Sequence, residues 1–158
     1  MTQSVNQFAL GNETGRLTLG VNTNVFPAKV YPSSTAVIVP GMAVRLIDSA
    51  DSEILIDAAA ATDKIFGFVT YSSKQLPFGA TSNNIVEVAS ATCSMYMETN
   101  AAIARGALLE YVAPASGNGP RVVTSAGTNK IVGIALDKAT AAGALIRVNI
   151  LSPLVAQF

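Results

Sequence analysis

The chain contains no histidine, no tryptophan and one cysteine, and only 13% of its 158 residues are charged. Each shortage removes a class of function. Without histidine, the side chain that ordinarily titrates near neutral pH is missing, and so is the commonest zinc ligand. A lone Cys93 with no histidine leaves no Cys-His dyad, no Ser-His-Asp triad and no intrachain disulfide. No Gly-x-Ser-x-Gly elbow, Walker loop or Gly-x-Gly-x-x-Gly fingerprint occurs. Ten basic and ten acidic residues cancel. The chain therefore carries no basic footprint for nucleic acid and no polybasic anchor for a membrane. No apolar run approaches the roughly 20 residues that a transmembrane helix needs. The opening "MTQSVNQFALGNETG" has neither a charged n-region nor an apolar h-region, so synthesis in the cytoplasm is expected.

The residues left for chemistry are few. Asp48, Asp51, Glu53 and Asp57 crowd one turn region, but their spacing misses the EF-hand loop and reads as a solvated hairpin tip. Lys130 follows "TSAGTN" and could meet Ser125 or Thr128 as a Ser-Lys pair. Lys64 has no serine at that spacing, so both lysines are expected to pack their stems at strand starts. Cys93, in "SATCSMYM", reads as a small buried residue. No catalytic residue, metal ligand or cofactor is expected.

What the chain does have is strand-forming residues. Half of it is hydrophobic, and Val, Ile and Thr make up roughly a quarter. Alternation runs through "MAVRLI" (42–47), "IVEVA" (85–89), "ALLEYV" (107–112) and "LIRVNI" (145–150), with Gly, Pro, Asn, Asp and Ser clusters between. The alanine runs at 57–63 and 99–106 offer at most one turn of helix each, with Asp57 and Thr99 as caps. Asn118-Gly119 is a hairpin signal.

Two stretches echo each other. Asp63-Lys64-Ile65-Phe66-Gly67-Phe68 matches Asn129-Lys130-Ile131-Val132-Gly133-Ile134. Upstream, Gly41 matches Gly106, "AVRLI" matches "LLEYV" and "ILID" matches "VVTS". Downstream, Gly79-Ala80 matches Gly143-Ala144. Glycines repeated inside strands, Gly67 and Gly133, mark a bulge or a close backbone approach. The expected fold is all-β, a compact β-barrel or sandwich of two similar modules, 26–92 and 93–158, with an extended N-terminal arm at 1–25. One core shared by both modules is the alternative to two separate ones. The arm carries isolated apolar residues and one arginine, Phe8, Leu10, Arg16, Leu17, Leu19 and Val21. They are the candidate contacts to a capsid or to a neighbouring copy by strand addition.

"KIVGIALDKATAAGALIRVNI" (130–150), with "IARGALLEYV" (103–112) upstream, resembles the capsid decoration, or cement, proteins of tailed bacteriophages. Similarity is best over about 103–150 and extends through the internal echo to 38–90. The resemblance implies a structural protein on the outer surface of the expanded capsid in the virion, clamping major capsid protein subunits. It also implies contact with other copies of itself, trimers ahead of dimers, with no nucleic acid or membrane partner. This chain departs from the simplest members by carrying the module twice. The alternative is a fibre, spike or adhesin domain that binds a receptor. Such a domain would be expected to show exposed aromatics at loop tips, whereas Tyr71, Phe78 and Tyr111 read better as strand residues.

Overall fold

The computed structural model describes residues 14–15, 17–18, 24–49, 53–70, 79–115 and 118–151. Within them the fold is all-β. The strands are β1 (Val25–Val30), β2 (Ala43–Leu46), β3 (Leu55–Ala58), β4 (Gly67–Val69), β5 (Ile85–Ala89), β6 (Ser94–Thr99), β7 (Leu108–Val112), β8 (Arg121–Thr124), β9 (Ile131–Ala135) and β10 (Leu145–Ile150). The alternating windows all become strands. The alanine runs do not become helices. Asp57 lies in β3 and Thr99 ends β6, while Asp63 closes a turn by accepting the Ala60 N–H at 2.9 Å.

The strands close two barrels, in the orders β1-β3-β2-β4-β5 and β10-β6-β8-β7-β9. In each barrel the first and third strands run parallel and every other pair is antiparallel. Closure gives every strand a neighbour on both sides, although the parallel β1–β3 and β6–β8 pairs span only two residue pairs each. The registers give residue-by-residue counterparts. Lys29 pairs with Leu55 and Ile85, as Glu98 pairs with Arg121 and Leu145. Val44 faces Gly67, as Leu109 faces Gly133. β1 and β6 therefore correspond too, although "VFPAKV" and "SMYMET" share no visible pattern.

One sequence match shifts. The Asn83 N–H donates to Val30 O at 3.0 Å, and the Gly143 N–H donates to Thr99 O at 2.8 Å, at equivalent strand ends. Both residues have positive φ, 67° and 79°. The counterpart of Gly143 is thus Asn83, not Gly79, because asparagine also tolerates this backbone region. Ala80 bridges Ile38, and its counterpart Ala139 bridges Ile103. The Asn118-Gly119 signal is also displaced by one step. Asn118 pairs with Ala115 between β7 and β8 and its N–H donates to Ala115 O at 3.0 Å, while residues 116–117 lie outside the described residues.

Inward side chains fill each barrel. Val30, Val44, Ile56, Val69 and Val88 pack inside barrel 1; Met97, Leu109, Val122, Ile146 and Val148 pack inside barrel 2. Gly67 and Gly133 are where strands approach most closely. A Cβ on Gly67 would lie 2.5 Å from Ala89 O, and one on Gly133 would lie 2.6 Å from Val148 Cγ1 and 2.8 Å from Asn149 O. Beside Gly133 the β7–β9 register slips between Leu109 and Glu110, a bulge. Gly106 differs: its φ is +80°, yet nothing lies within 4 Å of an added Cβ. Gly67→Ala and Gly133→Ala are expected to cost about 2–4 kcal/mol each, through backbone displacement in the core. Gly106→Ala should cost only about 1–2 kcal/mol, from φ alone. Urea titration of the three variants checks the order.

Candidate functional site

The serine singled out for chemistry is held by a buried carboxylate. The Ser125 hydroxyl donates to Glu110 Oε1 at 2.7 Å. Glu110 is 2% exposed and also accepts the Gly127 N–H at 3.0 Å and Asn129 Nδ2 at 3.1 Å. Burial pushes the Glu110 carboxyl up, but the Ser125 hydroxyl and the Asn129 and Gly127 groups outweigh it, and its pKa is lowered. Ser125 is thus engaged as a loop clasp on a carboxylate. This buried acid has no signal in the sequence, because Glu110 occupies an outward position of an ordinary alternating strand. Its burial comes from the 125–129 loop folding over it.

The acidic turn is spent on its neighbours. Glu53 pairs with Lys29 at 2.9 Å. Asp57 accepts Ser34 Oγ at 2.6 Å and the Ala58 N–H at 2.8 Å. Among the described residues no three metal-ligating side chains cluster; Asp51 lies outside them. Cys93 is buried in the core just before β6. Asp137 and Arg147 form a two-point ion pair, 2.7 and 2.9 Å, and the Arg147 hydrogen bond holds the Asp137 carboxyl at about 2. These are structural uses of charge.

Of the candidate arm contacts, Leu17 is described; Phe8, Leu10, Arg16, Leu19 and Val21 lie outside the described residues, as do Tyr71 and Phe78. Leu17 is not held out toward a partner. It bridges Met95 antiparallel to β6 and packs on the core, while the Gly15 N–H donates to Tyr96 O and the Thr18 N–H to Ser94 O, both at 2.8 Å. Strand addition does occur here, within the chain's own second barrel. The reason is geometric. β6 pairs with β8 only at Glu98 and Thr99, so the backbone of 94–96 on that side is open to a passing strand.

The surface most distinctive in this molecule is the junction of the barrels. Ala43, Ile65, Phe68 and Ala89 point out of barrel 1, yet they belong to one buried cluster with Met95 and Tyr111 of barrel 2. The Phe68 and Tyr111 rings meet edge-on, with centroids 5.8 Å apart at 71°. Gly41, in the turn before β2, lies against Thr14 and Pro120, and its counterpart Gly106 lies in the open. Burial raises the Tyr111 phenol to about 12. The Ala43 backbone pulls it back in part, without a hydrogen bond of acceptable geometry, so the buried hydroxyl has no partner. Outside the junction, Leu46, Ile54, Ile85, Leu108, Leu136 and Leu145 are exposed. An open groove of about 190 Å³ runs beside Pro27, Lys29, Glu53, Ile54 and Ile85.

No protein-family model matches the chain, and no curated protein is similar to it in sequence.

Leu17→Ala is expected to lower stability by about 1–2 kcal/mol, less than a fully buried leucine, because Leu17 is half-buried. Chemical denaturation of the full chain measures it. Tyr111→Phe should be neutral or stabilising by up to about 1 kcal/mol, since it removes an unpartnered buried hydroxyl. Its pH signature has a definite sign. Tyr111 ionises near 10 when unfolded and near 12 when folded, so its contribution is full below pH 10 and is lost as pH rises toward 12. The wild type should lose stability over that window more steeply than Tyr111→Phe, as read from denaturation midpoints at pH 9 and 11.

Proposed function

We infer that this is a structural virion protein, without catalysis, that binds the outer surface of an expanded phage capsid and bridges neighbouring major capsid subunits. The observation that carries the reading is the distribution of apolar surface. A bridge needs contact areas on several sides of one body, and exposed large apolar residues lie on both barrels: Leu46, Ile54 and Ile85 on the first, Leu108, Leu136 and Leu145 on the second. With only 13% of its residues charged, the chain has little charge to set around such contacts. The resemblance of 103–150 to phage cement proteins supplies the kind of partner. Mechanically, a protein that binds only the assembled shell stabilises it by mass action, and many weak contacts repeated over a closed lattice add avidity. Self-association into trimers or dimers would multiply the contacts each assembly makes.

Co-sedimentation with expanded capsids that lack the protein tests this. Saturable binding in simple proportion to capsid subunits is expected. Absence of binding to shells, with the protein found on tails, would overturn the reading in favour of a receptor-binding fibre or spike domain.

A further inference from the structure

The two barrels differ most where they touch. In barrel 1, Ala43, Ile65 and Phe68 are buried against barrel 2, at 0%, 1% and 2% exposure. Their counterparts on barrel 2 are Leu108, Ile131 and Ile134, by the register that pairs Ala43 with Phe68 and Leu108 with Ile134. Leu108 is 43% exposed and the two isoleucines are half-buried. The receiving surface shows the same contrast. Tyr111 and Pro120 at the mouth of barrel 2 are buried, whereas their counterparts at the mouth of barrel 1, Leu46 and Ile54, are 52% and 43% exposed. Phe26 and Phe66 pack with tilted rings at the same mouth, centroids 5.1 Å apart, and are half-buried.

The chain therefore uses one outer face and one mouth in its own junction. It leaves the equivalent face and the equivalent mouth uncovered among the described residues, with apolar residues on each: Leu108, Ile131 and Ile134 on the face, Leu46 and Ile54 at the mouth. Isolated exposed leucines are ordinary on protein surfaces. Here three of the seven large exposed hydrophobics among the described residues, Leu46, Ile54 and Leu108, fall on counterparts of junction residues. Face and mouth are different surfaces, so a contact between them joins copies heterologously, each copy offering one to the next.

We propose that copies of this chain join head to tail, the Leu108–Ile131–Ile134 face of one copy seating on the Leu46–Ile54 mouth of the next, as the two barrels already do within one chain. This gives residues to the self-association in the capsid-binding reading, and it stands without any capsid. Within the chain the junction is tethered by the short 90–93 connection and braced by Leu17. Between copies that tether is missing, so the contact is weaker and depends on concentration.

The test uses purified full-length chain and sedimentation equilibrium from micromolar to several hundred micromolar, with no capsids present. Wild type is expected to assemble as concentration rises. Leu108→Glu and Leu46→Glu should each be monomeric throughout, with thermal midpoints within a few degrees of wild type. Mixed one to one, they should form a dimer and nothing larger, because one variant keeps its mouth and the other its face. If either glutamate variant fails to fold, Ile134→Lys or Ile54→Lys replaces it on the same surface. Leu136→Glu, off both surfaces, should assemble like wild type. A monomeric wild type at every concentration, a mixture that stays monomeric, or dimers formed by either variant alone would each overturn the proposal. Failure of co-sedimentation with intact head-to-tail assembly would count against capsid binding only.

Discussion

The packing of Phe68 on Tyr111 organises this molecule. Phe68 points away from the interior of its own barrel, and in a free-standing barrel it would sit in water beside Ala43 and Ala89. Barrel 2 covers all three, leaving them at 2% exposure or less. Burying a phenylalanine contributes about 1.5–3 kcal/mol, and the edge-on ring contact adds about 0.5–1.5 kcal/mol. The unpartnered Tyr111 hydroxyl costs part of that gain. The balance favours the junction because the ring, not the hydroxyl, makes most of the contact. Small residues around it follow from the same constraint. Ala43 and Ala89 let the barrels approach, and Gly41 leaves room for Thr14 and Pro120.

Charge is scarce, and the structure spends it on clamping strands. Lys29–Glu53 and Glu98–Arg121 tie together the ends where the parallel strands diverge, β1 from β3 and β6 from β8. Lys29 and Glu98 are counterparts of opposite charge, but their partners sit at different places, since Arg121 corresponds to Leu55 and Glu53 lies two residues before it. Exposed pairs of this kind contribute at most about 1 kcal/mol; the Glu98–Arg121 pair, with both side chains about a quarter exposed or less, sits at the stronger end. Both barrels thus place a charged residue at this strand position and pair it with an opposite charge at the end of the parallel neighbour.

The fold was legible where strands alternate and where glycine is required by contact. "IVEVA" and "LIRVNI" declare one inward and one outward face, and Gly67 and Gly133 recur because an added Cβ would strike the neighbouring strand. β1 was not legible as a counterpart of β6. Pro27 interrupts it, and methionines in β6 stand where alanine and phenylalanine stand in β1, so volume and pattern both differ. Gly143 was matched to the wrong residue because positive φ is met by asparagine at its true counterpart. The Glu110 clasp and the junction escaped for a common reason. Both arise from segments far apart in sequence covering outward positions, and alternation says which residues face outward but not what covers them.

Duplication sharpens what exposure means. For a single barrel, an open leucine has no reference state, and packing or chance explains it equally. Here each described strand position on one barrel has a counterpart on the other whose environment can be compared. Ala43 and Leu108 occupy the same site on the same strand, one sealed and one open, and the open one is the larger apolar side chain. Had barrel 2's outer face only to meet water, its position would be free to become polar, as Ser125 has become opposite buried Ala59 and Asn149 opposite Ala89. The apolar character instead persists at Leu108, Ile131 and Ile134, in a row running across β7 and β9. A face that keeps three apolar residues, with leucine where its sealed counterpart has alanine, is shaped for protein contact rather than for solvent.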